Sequence, residues 1–148
     1  MRQRYTAAAL IAAALAAGSP VPANEAGLIA LAGTWTAIEA KRDGGPAADV
    51  RGHRMTVTGG VFELVATDGV LLYSGTIGVD PAATPAAIDF IIAAGPSAGV
   101  VWAGVYRLDG DRLIIADNAP DPARPRPSSF EAPAGSGYVV VTFERGGS

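Results

Sequence analysis

From Gly33 onward, apolar and polar residues alternate with a period of two, and turn-forming residues interrupt the alternation at short intervals. The pattern predicts a first strand over 33–41, ended by Asp43-Gly44-Gly45-Pro46, and then an irregular piece over 47–52 with room for one helical turn. Strands over 53–58 and 61–66 flank Gly59-Gly60, which supplies the positive φ that a tight hairpin requires. Asp68-Gly69 turns the chain into a strand over 70–78. The stretch Asp80 to Pro85 carries two prolines, which remove ladder donors, so it is a connection. Strands over 86–93, 100–108 and 112–117 follow, punctuated by Gly95-Pro96-Ser97-Ala98-Gly99 and by Asp109-Gly110-Asp111. Residues 119–137 hold five of the eleven prolines and form a long loop, after which 138–145 is the last strand.

Eight short strands joined mostly by hairpins define an all-β chain. The expected architecture is a single antiparallel up-and-down β-barrel of about eight strands, because closure removes the exposed edges of an open meander; a β-sandwich is the alternative. The interior of an eight-stranded barrel is either filled by side chains or just wide enough for one small ligand, and the pattern leaves both open. Gly33-Thr34-Trp35 opens the first strand. A residue without Cβ beside an indole with one N–H to satisfy suits the closed end of such a barrel.

Residues 1–23 break the β pattern. Arg2 and Arg4 precede an apolar run from Ala7 to Ala17 and a small-residue exit, Val21-Pro22-Ala23. This reads as a cleaved secretory signal peptide, too short to span a bilayer, with one domain at 24–148. The expected location is therefore periplasmic or extracellular, with no membrane span after cleavage. Cysteine is absent, so neither a disulfide staple nor a thiol nucleophile is available, and the fold must rest on its apolar core. The chain is mildly acidic, with a formal net charge of −3, and has no basic patch. Nucleic acid, whose binding depends on clustered Lys and Arg, is not an expected partner.

Candidate chemistry is sparse. His53 is the single histidine and no Gly-x-Ser-x-Gly elbow exists, so no triad can be drawn, and no catalytic residue, metal site or cofactor is expected. Asp109 and Asp111 flank a turn glycine and read as turn residues. Asp89 lies opposite Ile88, Phe90 and Ile92 by alternation; outward pairing with an arginine such as Arg126 and a ligand-facing role are the two readings. Trp35, Tyr73, Phe90 and Tyr106 fall within strands, either as core filling or as the lining of an apolar pocket. The strand over 100–108 is apolar on both faces, so its outer face needs a cover. Either the 119–137 loop supplies it through Phe130, or the face is open to self-association or a cell-envelope protein.

An ordered set of short segments resembles a known family: Gly33-Thr34-Trp35, Gly75-Thr76-Ile77 with Asp80-Pro81, Pro85 to Asp89, Gly104 to Leu113, and Arg126-Pro127-Ser128-Ser129-Phe130. Over about residues 30–145 they are similar to a bacterial family of lipocalin-like domains, numerous in planctomycetes, with no established activity. The resemblance implies a lipocalin-like barrel. The Gly-x-Trp start also resembles the lipocalin signature, which implies a structural lock between Trp35 and a basic residue of the last strand, here Arg145. The helix that follows the barrel in lipocalins has no counterpart after 145. The function expected from these readings is non-enzymatic: an exported binding or structural module with a possible small apolar ligand among Trp35, Tyr73, Phe90 and Tyr106. The alternatives are an interaction scaffold with a filled barrel and, less favoured, a hydrolase.

Overall fold

A computed structural model describes residues 24–146, so the expected signal peptide lies outside the described residues. The chain is nearly all β. A short helix α1 (Glu25–Leu31) precedes β1 (Gly33–Arg42), β2 (Gly45–Pro46), β3 (Arg54–Thr58), β4 (Val61–Val65), β5 (Leu71–Asp80), β6 (Ala86–Ala94), β7 (Val101–Asp109), β8 (Arg112–Asp117) and β9 (Val139–Arg145). Each strand from β3 to β9 pairs antiparallel with its chain neighbour, and β1 pairs with both β3 and β9. The result is a closed antiparallel barrel of eight strands, β1 and β3 to β9, with the two-residue β2 as an extra strand folded back on β1. The β1–β9 seam runs from Trp35 opposite Arg145 to Arg42 opposite Val139, with a register shift between Ala37 and Glu39 that lets β1 bend round the barrel.

One end of the barrel is shut. Asn24 caps α1 by accepting from the Gly27 amide at 2.8 Å, and Glu25 stands in the first turn, where the helix dipole favours an acid. The helix drops Leu31 into the core at 1% exposure, directly before the chain enters β1. Trp35 is completely buried, and its indole Nε1 donates to the Leu31 carbonyl at 2.9 Å. Arg145 lies across the ring, its guanidinium carbon 4.2 Å from the ring centroid. The same guanidinium donates to the Ala32 and Ala30 carbonyls at 2.7 and 3.1 Å, which satisfies acceptors left over at the end of α1. Gly33, at φ +130°, makes this possible, because a Cβ there would sit 3.2 Å from the Arg145 guanidinium. Asp111 in the β7–β8 hairpin adds an ion pair to Arg145 at 3.5 Å.

The inward residues form one core, with Ile77, Val79, Ile88 and Leu113 among those nearly sealed from solvent. Outside the wall, the 119–137 loop crosses β7 to β9. Phe130 and Ala132 pack with Val105, Ala116 and Val140, so the chain itself covers the second apolar face of β7 around Val105, while Val101 at the start of the strand stays exposed. The loop is pinned by polar groups. Asn118 accepts from the Ala103 amide at 3.0 Å and donates to the Arg124 carbonyl at 2.7 Å. Arg126 reaches under the loop to Asp89 at 2.8 Å and also donates to the Ile88 and Gly104 carbonyls, each at 2.9 Å. Asp89 is 1% exposed and lies on the outer face, beneath the loop. Neither Arg124 nor Arg126 is left to capture an external anion, since Arg124 donates to the Ser136 carbonyl at 2.7 Å and pairs with Asp121 at 3.6 Å.

Candidate functional site

The other end of the barrel is open. Here β1 ends, β5 and β7 begin, and β8 ends, so the rim is built from Arg42, Leu72, Tyr73, Trp102 and Asp117, with Asp49 and His53 contributed by the segment between β2 and β3. Inside lies a cavity of about 370 Å³, floored and walled by Met55, Phe62, Phe90, Ile115, Val141 and Phe143. That volume is in the range of small-molecule sites, and the lining has their usual character: mostly apolar and aromatic, with a few polar groups at one end.

Local packing explains why the space persists. Aromatic rings meet edge to face, Phe62 against Phe90 with centroids 5.1 Å apart and Tyr73 against Trp102 at 4.5 Å, so the walls are braced by rigid groups rather than by chains that could fold inward. Val70 and Leu71, beside Leu72 at the rim, are 56% and 50% exposed, which makes the approach to the cavity apolar as well.

The polar groups of the mouth differ in kind. Arg42 and Asp49 form a two-pronged pair, 3.1 and 3.4 Å, and the guanidinium hydrogen bond holds the Asp49 carboxyl below the usual carboxylate range. Asp117 follows Leu113 and Ile115 on the inward face of β8. It is half-buried and lines the cavity, whose apolar walls solvate a charge poorly. Burial therefore raises its pKa to about 7, against the opposing effect of the Ala119 amide, which donates to Oδ1 at 3.0 Å. Gly104, opposite Asp117 on β7, is required here: a Cβ would lie 2.6 Å from the Ala116 carbonyl oxygen and 3.0 Å from the Asp117 Cβ.

Of the four aromatics expected at a pocket, Tyr73 and Phe90 line the cavity, while Trp35 and Tyr106 do not. Trp35 belongs to the shut end with Arg145, and Tyr106 is core, its hydroxyl held protonated to higher pH by burial and by the nearby Asp80. The cavity brings in residues that the sequence reading had not singled out, chiefly Met55, Phe62, Trp102 and Asp117. Alternation along the strand over 112–117 puts Asp117 on the same face as Leu113 and Ile115; an acid on an otherwise apolar face was the available signal. His53 stands at the mouth, and no group of three or more His, Asp or Glu able to hold a metal ion occurs among the described residues. Nor is any helix among them long and apolar enough to cross a membrane. Comparison with known proteins gave no match: no protein family, no curated protein and no solved structure is significantly similar to the chain.

Proposed function

We propose that this chain is a lipocalin-like binding module that holds one small, largely apolar molecule in the open end of its barrel and works after export from the cytoplasm. The observation that carries the reading is the contrast between the two ends of one core. The α1 end is packed around Trp35, whereas the opposite end keeps a cavity of about 370 Å³ braced by aromatic pairs. The basic, apolar and small-residue pattern of the first 23 residues supports export. The Gly-x-Trp start, with Arg145 stacked on the ring, supports the lipocalin-like reading.

Binding rather than catalysis is favoured by the chemistry of the lining. Among the described residues that line the cavity there is no serine, threonine, cysteine or lysine to serve as a covalent nucleophile. Native mass spectrometry of the protein purified from the cell that makes it tests the reading. A retained small molecule, lost on collisional activation, is the expected result. A bare polypeptide that also takes up none of a panel of neutral apolar compounds would refute it.

A further inference from the structure

We propose that the cavity selects amphiphilic amines, the apolar body lying among Phe62, Phe90 and Trp102 and the ammonium head pairing with Asp117. This rests on the reading of the cavity as a ligand site and names the class of ligand it takes.

The argument is one of placement. Asp117 ends the inward face of β8, so its carboxyl enters the cavity from the rim, above an apolar floor. One oxygen accepts from the Ala119 amide, and no other polar partner or neighbouring cation acts on the group among the described residues. The charged and titratable groups that share the mouth are Arg42, Asp49, His53 and Tyr73. Arg42 is already joined to Asp49 through both guanidinium nitrogens, so it has little charge to spare for an anionic guest. The unpaired acid in the cavity is therefore negative when ionised, with no cation to balance it.

Each class of head group meets this arrangement differently. A carboxylate guest would place a second negative charge beside Asp117 in an apolar space, which like-charge repulsion disfavours. A neutral alcohol can hydrogen-bond to Asp117 in either protonation state but gains no charge pairing. An ammonium head turns an uncompensated, half-buried acid into a charge-assisted pair, the stronger kind of hydrogen bond, while its alkyl or aryl body excludes water from the floor. The raised pKa of Asp117 fits this account, because the group lacks the cation that would hold it ionised. An arriving ammonium should then expel the proton from any Asp117 still protonated.

Isothermal titration of the protein with octylamine, 1-octanol and octanoate, matched in chain length, separates the possibilities. At pH 8 the wild type should bind octylamine about tenfold or more tightly than 1-octanol, a discrimination of the size one charge-assisted contact supplies, with octanoate weakest. Asp117→Asn should abolish the amine preference, bringing octylamine and 1-octanol to similar affinities. At pH 6, uptake of octylamine by the wild type should release most of a proton, read from the dependence of the heat on buffer ionisation, and 1-octanol should release none. This readout needs no variant, so it stands even if Asp117→Asn folds poorly. Equal binding of octanol and amine, tightest binding of octanoate, or an amine preference that survives in Asp117→Asn would overturn the proposal while leaving the ligand site intact. Failure of all three compounds to bind would overturn the ligand-site reading and this proposal together.

Discussion

Asp117→Asn is expected to stabilise the protein at alkaline pH and to leave it nearly unchanged in acid. In the folded chain the carboxyl titrates at about 7 against an ordinary value of 3.8. A carboxyl whose pKa is raised by folding binds its proton more tightly in the native state. Folding therefore takes up a proton between roughly pH 4 and 7, and stability falls as pH rises through that window. The loss is complete above pH 7. A shift of about three units corresponds to ~4 kcal/mol at 1.36 kcal/mol per unit, an upper bound because water entering the cavity solvates the charge in part. A gain of ~2 to 4 kcal/mol for the variant at pH 8 follows, since Asn can still accept from the Ala119 amide through its side-chain oxygen but carries no charge. Asp49, whose pKa is lowered chiefly by the hydrogen bond from Arg42, acts in the opposite direction, gaining stability as pH rises; it is common to both proteins and cancels in the difference. Urea unfolding of both proteins at a series of pH values from 4 to 8.5 measures the effect. A difference that stays flat across that range, or that grows toward acid, would refute the assignment of Asp117 to a poorly solvated site.

Three further outcomes follow from the fold. Trp35→Ala removes a fully buried ring together with the indole bond to Leu31 and the Arg145 stack, and should cost ~3 to 5 kcal/mol in chemical denaturation; a cost under ~1 kcal/mol would show that the ring does not brace the shut end. Arg126→Met strips the arginine from the buried Asp89 and should cost ~3 to 5 kcal/mol at neutral pH, with part of the loss recovered when Asp89→Asn is added, as a double-variant cycle would measure. Phe130→Ser weakens the cover over Val105, Ala116 and Val140, and sedimentation at micromolar concentration should show the variant associating more than the wild type; unchanged sedimentation would mean that the rest of the loop suffices as cover.

The strands were legible in the sequence because their signals are local. Alternation fixed the inward face, and Gly59-Gly60, Asp68-Gly69 and Asp109-Gly110-Asp111 fixed three hairpins, so each strand boundary falls within two residues of its expected place. Two local features were not read. Helix α1 is too short for a periodic signal, although Asn24 before Glu25 is an N-cap pattern and Gly27 and Leu31 are one turn apart. The pair β2 arises within a segment read as a turn, because backbone bonding back to β1 leaves no mark in the side-chain pattern. For the cavity the limit was of another kind. Alternation separates inside from outside but not one level of the barrel from another, so Tyr106 and Phe90, both inward, could not be assigned to the filled and the open half. That division depends on which strand ends share the rim with Arg42 and Asp117, a matter of register across the eight pairings that close the barrel. The outward course of Asp89 and the cover by Phe130 were accessible, since alternation and two-sided apolarity of a strand are again local.

The central claim, that the open end of the barrel is a site for a small apolar molecule, is tested most directly by tryptophan fluorescence. The chain has two tryptophans, Trp35 sealed at the shut end and Trp102 on the cavity wall. Titration with 1-octanol should change the emission saturably in the wild type, and Trp102→Phe should abolish the change while calorimetry still registers one bound molecule. No saturable response to 1-octanol, or a response that survives in Trp102→Phe and so reports only on Trp35, would contradict the account.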